Sequence, residues 1–233
     1  MPDITDTDCH IVLVSEWTVG TPERQRATAD ALVAVGERAP GPPGLLSNNF
    51  FASTDGETVL NYAQWTSREA YDEFVLIHRQ LRVAQIDRAV PGIKRHGPVY
   101  YHLYRSLVRE DPPTPGCVVI VSNEFEGPDA QRQRRWVDTV FEALEAEAEL
   151  HPGGISGHFH TSMDGTRVLN YAEWTDEQAH CEALEMSGQG TIGRGPKWLD
   201  VKNFPGVLSN GFKRYHLLRS LSRDRARSAA RTD

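Results

Sequence analysis

The sequence predicts an α+β fold: two ferredoxin-like βαββαβ units on one chain, packed sheet to sheet. Three pairs of stretches carry that prediction. "DGETVLNYAQWT" at 55–66 returns as "DGTRVLNYAEWT" at 164–175, identical at nine of twelve positions. "YHLYRSL" at 101–107 returns as "YHLLRSL" at 215–221, and "IVLVSEW" at 11–17 resembles "VVIVSNEF" at 118–125. Self-similarity at this spacing marks a duplicated unit, and 233 residues suffice for two small domains with cores of their own. The copies run over 9–109 and 117–223, and "EDPPTPG" at 110–116 is a stiff, exposed linker.

Within a copy the hydrophobic periods alternate. Residues 10–17 are β-branched and apolar, hence a strand. Residues 21–38 open with Thr21, Pro22 and Glu23, a cap followed by proline in the first turn, and close before a proline–glycine cluster, so they form a helix. "LLSNNFFAST" and "ETVLNYAQW" are strands joined by Asp55-Gly56, a hairpin signal. Ser67 caps a second helix that runs to about Arg88, and residues 100–108 form the last strand. Helices then cover one face of a four-stranded antiparallel sheet. The second copy covers the other face, giving an intramolecular pseudo-dimer. The charged tail "RDRARSAARTD" is expected to fray.

The formal charge of −7 disfavours a nucleic-acid or anionic-membrane partner. No apolar run approaches the ~18–20 residues that span a bilayer. The acidic start "MPDITDTD" lacks the apolar region of a secretory signal, so the cytoplasm is the expected compartment. Cys9, Cys117 and Cys181 are odd in number and lack a CxxC spacing, which argues against a disulfide framework or a structural zinc site.

Side chains alternate faces along the repeated strand, so Val59, Asn61, Ala63 and Trp65 lie on one side and Leu60, Tyr62 and Gln64 on the other. The same split places Asn170 with Trp174. A buried asparagine on such a face needs a partner, because an unpaired polar group costs roughly 1–3 kcal/mol. Either the neighbouring structure or a bound molecule supplies it. Tyr71 and His78, on the following helix, reach toward the same space.

A strand reading N-Y-x-x-W-T, followed by a helix opening S/D-x-E/Q-A (Ser67 to Ala70 and Asp176 to Ala179), resembles the antibiotic biosynthesis monooxygenase family, and the resemblance covers both copies. It implies a dimeric α+β barrel, here in a tandem two-copy form. The implied reaction is oxygenation of an aromatic, anthrone-like polyketide to a quinone by dioxygen, without flavin, haem or metal. Carried over position by position, the implied pocket residues are Asn61, Trp65 and Tyr71 in copy one, and Asn170 and Trp174 in copy two, where His180 stands at the tyrosine position. The family's basic residue falls on Arg82 or Arg88 in copy one and on Arg194 in copy two. The implied partners are a small aromatic substrate and dioxygen, with no nucleic acid and no membrane; a homodimer of the pseudo-dimer is compatible with the sequence. Two other readings of the fold stay open: a non-oxidative polyketide cyclase or ligand-binding protein, and a haem-degrading enzyme.

Other signals weigh less. "GQGTIG" at 188–193 matches a dinucleotide fingerprint in letters but follows a helix rather than a strand, so it reads as a loop, with a lid over the second pocket as one role open to it. "HFH" puts His158 and His160 on one strand face, where they would hold a metal or line a pocket; His160 is taken as a substrate contact. "YHLxRSL" fits a structural role at the seam between copies better than catalysis.

Overall fold

In the computed structural model, which describes residues 1–38 and 41–222, close packing divides the chain into two units. Unit one comprises residues 1–101 together with 215–222, and unit two comprises 102–214. The tail expected to fray lies outside the described residues, as do positions 39 and 40.

Unit one begins with β1 (Ile11–Thr18) and α1 (Pro22–Glu37). The Thr21 side chain caps α1 by accepting from the Arg24 amide, with proline in the first turn as the sequence predicts. β2 (Leu45–Ser53) and β3 (Thr58–Trp65) form the expected hairpin, turned at Gly56 with φ 82°, a conformation glycine adopts without strain. Ser67 caps α2 (Arg68–Phe74), which passes through a π-helical turn, Val75–Arg79, into α3 (Gln80–Ala89). A short β4 (Lys94–Arg95), absent from the sequence reading, pairs with β1. The first residues of β5 (Val99–Val108) also pair with β1.

Unit two repeats the order: β6 (Cys117–Phe125), α4 (Ala130–Glu145), β7 (Gly154–Ser162), β8 (Arg167–Trp174) and α5 (Glu177–Ser187). A further short helix, α6 (Trp198–Lys202), follows in the stretch where copy two is longer, before β9 (Val207–Ser222). Asp129 caps α4 and Asp176 caps α5, each carboxylate accepting an amide three residues on.

Each unit has the antiparallel ferredoxin-like strand order. In unit one β3 pairs with β1 on one side and β2 on the other, β1 pairs with the start of β5, and β2 pairs with residues 215–222 of β9. In unit two the order is β9, β6, β8, β7, β5. The strands carrying YHLxRSL therefore contribute residues to both units: 99–101 and 102–108 of β5, and 207–214 and 215–222 of β9, fall on either side of the division.

The helices pack on the face that carries the tryptophans. In unit one Trp17, Phe50 and Val59 meet Leu32 and Val35 of α1 and Ile86 of α3. In unit two Phe125, Phe159 and Val168 meet Trp136, Val137, Val140 and Phe141 of α4, and Trp198 and Val201 of α6. One polar device recurs: the buried Gln25 side chain donates to the Ser53 and Thr58 carbonyls, and Gln133 donates to those of Ser162 and Arg167. Each amide ties its helix to the neighbouring hairpin by satisfying backbone groups at the turn. No helix among the described residues is long and apolar enough to cross a membrane.

Candidate active site

Unit two holds a cavity of about 470 Å³, within the range of small-molecule sites. It lies between two apolar clusters. Trp136, Val140 and Phe159 come from the α4 side, and Ala172 and Trp174 come from β8. Asn170, Trp174 and His180 all border it, so the structure brings these three expected residues to one place. The period-2 alternation of β8 puts the first two on one face. Asp176 starts α5 directly after β8, which carries His180 over the Trp174 ring, with centroids 4.9 Å apart and planes at 75°.

Gly190, Thr191 and Ile192 of the GQGTIG loop also line the cavity. The loop continues into α6, and both are tied down by Glu147, whose Oε1 accepts from the Gly195 amide and from the Trp198 indole.

Two polar features stand out in the largely apolar wall. Asn170 Oδ1 is buried and has no hydrogen-bond partner among the described residues. An orphaned buried acceptor is costly unless something donates to it. His180 is buried, with its Nδ1 accepting from Arg214 Nε at 3.0 Å. Burial first, and the adjacent Arg214 charge second, push the imidazole pKa down to about 4, so the ring is neutral near pH 7. His151 borders the cavity too, 6.0 Å from the Trp174 ring.

Copy one arranges the corresponding residues differently. Asn61 Oδ1 is likewise buried without a partner among the described residues. Above it, however, Trp65 is packed by Tyr71 at 5.4 Å and Phe74 at 5.5 Å, and Tyr71 meets Tyr100 at 5.8 Å. Burial pushes the Tyr71 phenol up to about 12, so it stays protonated. Arg82 lies over the Phe74 ring at 5.6 Å, and His78 is exposed beside the same ring at 6.5 Å.

Aligned through the NYxxW strand, Asn48, Tyr71 and Phe74 of copy one correspond to Gly157, His180 and Ala183 of copy two. Each replacement is smaller, so copy two has space where copy one has aromatic packing.

Three expected contacts fall elsewhere. His160 is fully buried on the face of β7 opposite Gly157 and Phe159; it does not border the cavity, and burial holds its pKa down at about 3. The strand alternation that pairs it with His158 is what turns it away. Arg194 is exposed and outside the cavity lining, because the loop turns its side chain to solvent, and Arg88 is exposed on α3. The sequence reading missed Arg214, Phe212 and Gly157. The aligned pair Tyr100 and Arg214 was the available signal for the first, and the Asn48-to-Gly157 change for the last.

No family model matches the chain. Over 65 residues it is 35% identical to tetracenomycin-F1 monooxygenase of Streptomyces glaucescens, a match covering 28% of this chain and 56% of that protein; the chain thus spans about half the length of the curated relative it matches. Among solved structures it is similar to an anthrone oxidase-like protein, with a TM-score of 0.68 at 19% identity over 93% of this chain and 94% of that one. It is also similar to monooxygenase candidates from Fusobacterium nucleatum, with a TM-score of 0.58 at 8% identity over 92% and 95% of the two chains, and from Lactobacillus acidophilus, with a TM-score of 0.55 at 11% identity over 91% and 96%. At these identities the structural likeness speaks for the fold.

Proposed function

We propose that this chain, similar over part of its length to tetracenomycin-F1 monooxygenase and in fold to an anthrone oxidase-like protein, is a monooxygenase that converts an anthrone-like aromatic polyketide to a quinone in the cavity of unit two. The observation that carries this reading is the orphaned Asn170 acceptor in an apolar, tryptophan-walled cavity that also presents a neutral His180. A planar phenolic ring fits the apolar walls. Its hydroxyl donates to Asn170 Oδ1, and the oxyanion of its enolate accepts from the second nitrogen of His180.

The electrons come from the substrate. Loss of a proton from the central methylene to water gives a carbanion whose charge rests largely on oxygen. The carbanion passes one electron to dioxygen, and the resulting radical and superoxide join to form a C–O bond. Protonation gives a hydroperoxide, which eliminates water and leaves the carbonyl. One dioxygen is used per quinone: one oxygen atom enters the product and the other leaves as water. This balance needs no flavin, haem or metal. The chain's residues bind the ring, steady the enolate and keep bulk water from the intermediates.

Turnover of an anthrone under ¹⁸O-labelled dioxygen, with protein treated to remove metals, tests the reading. One labelled oxygen per quinone and equal consumption of dioxygen and substrate are expected. Ring closure without dioxygen uptake would replace the reading with a cyclase.

A further inference from the structure

We propose that Arg214 is a positioning residue of this cavity, holding His180 as a neutral imidazole that carries its proton on Nε2. This rests on the reading of the cavity as the oxygenation site, and the observations behind it are geometric. A guanidinium only donates, so the Nδ1 atom that Arg214 Nε approaches at 3.0 Å must be unprotonated. In a neutral ring the proton is then on Nε2, which has no hydrogen-bond partner among the described residues. The ring cannot easily turn over to exchange the two nitrogens. It stands between Trp174, at 4.9 Å and 75°, and Phe212, at 5.1 Å and 73°.

Arg214 is itself held. Its guanidinium lies 5.1 Å from the Phe212 ring centroid and 3.9 Å from Glu177. The charged and titratable groups around His180 are thus Arg214 from β9, Glu177 and the Asp176 cap from α5, and, across Trp174, His151 with its 3.7 Å neighbour Glu182. The group in direct contact with the ring is the cation, which opposes protonation in the same sense as burial does.

The pair is particular to the second copy. At the aligned positions copy one has Tyr71 and Tyr100, whose rings meet edge to face. The exchange of two phenols for an imidazole and a guanidinium turns an aromatic contact into a donor with a fixed tautomer. In this arrangement His180 donates to the substrate oxyanion and does not serve as a base.

The test reads the tautomer directly. Side-chain ¹H–¹⁵N spectra of the full chain labelled at histidine are recorded from pH 8 to pH 5, with His180 assigned by its absence in His180→Gln. Nδ1 in the unprotonated range and Nε2 in the protonated range, unchanged down to pH 5, are expected. In Arg214→Met the titration midpoint should rise by about one unit or more and the Nδ1–H form should appear, while Arg214→Lys restores the wild-type pattern. With an anthrone, Arg214→Met should lose about tenfold in kcat with KM within about twofold.

A wild-type His180 protonated on Nδ1, one titrating near its ordinary value, or an Arg214→Met spectrum matching wild type would overturn the proposal. If the tautomer is fixed as expected but no anthrone is oxidised, the oxygenase reading fails while the hold of Arg214 on His180 stands.

Discussion

The Trp198 indole donates to Glu147 Oε1 at 2.8 Å, and the same oxygen accepts the Gly195 amide at 2.7 Å. One carboxylate just beyond the end of α4 therefore anchors both α6 and the loop that lines the cavity beside Ile192. Trp198 is buried, so Glu147→Ala leaves its N–H without an acceptor, at a cost of about 1–3 kcal/mol. A lower melting temperature is expected, with residues 188–197 becoming the first site of limited proteolysis. An unchanged cleavage pattern would mean that the loop is held by packing alone.

Asn170 contributes an acceptor that the protein leaves unused. Asn170→Leu replaces it with a side chain of similar size that suits the apolar wall. Stability should stay within about 1 kcal/mol of wild type or rise, because an unpaired buried group is removed. Activity should fall together with ligand affinity. Chemical denaturation run beside a turnover assay separates these effects; a large loss of stability would identify Asn170 as a core residue instead.

Gly157 keeps the cavity open. A Cβ added there would stand 3.5 Å from Asn170 Oδ1 and 3.4 Å from Phe159 Cε2, in ordinary contact. Gly157→Ala should therefore fold normally, whereas Gly157→Leu pushes its branch into the space that the substrate ring would occupy. The leucine variant should raise KM or abolish binding while its melting temperature falls by no more than a few degrees. Titration with a fluorescent or absorbing aromatic ligand reads this.

Two buried histidines set a pH dependence of stability. The folded-state pKa values, about 4 for His180 and about 3 for His160, are depressed mainly by burial. An unfolded histidine titrates near ~6.5 and so binds more protons than the folded one below that pH. Stability should be fully present above about pH 6.5 and fall as pH drops toward 4 for His180, and on toward 3 for His160. Denaturation midpoints across pH 4–8 should show the slope, and His180→Gln should reduce it to about half above pH 4, leaving the share of His160.

The repeat, the helix caps and the hairpin turns were legible because each rests on local chemistry. Thr21, Ser67 and Asp176 cap through their own side chains, and Asn170 and Trp174 share a face by strand alternation. What was not legible depends on pairings distant in sequence. YHLxRSL reads as one strand per copy, and nothing in it says that Ser220 will meet Asn49 while Asn210 meets Asn123. Arg214 sits in the ordinary surface-like run Lys213-Arg214-Tyr215, and only the fold brings it to His180. His160 misled because a histidine aligned with Phe51 looks like a gained function; both positions are fully buried, and the imidazole fills that place as a neutral side chain. The cavity was readable only by subtraction, from Asn48, Tyr71 and Phe74 set against Gly157, His180 and Ala183.

Dioxygen uptake with an anthrone, compared among wild type, Asn61→Ala and Asn170→Ala, tests most directly that unit two carries the oxygenation site. Loss of quinone formation by about a hundredfold in Asn170→Ala, with Asn61→Ala within about threefold of wild type, is expected. Equal loss in both variants, or loss in Asn61→Ala alone, would contradict it.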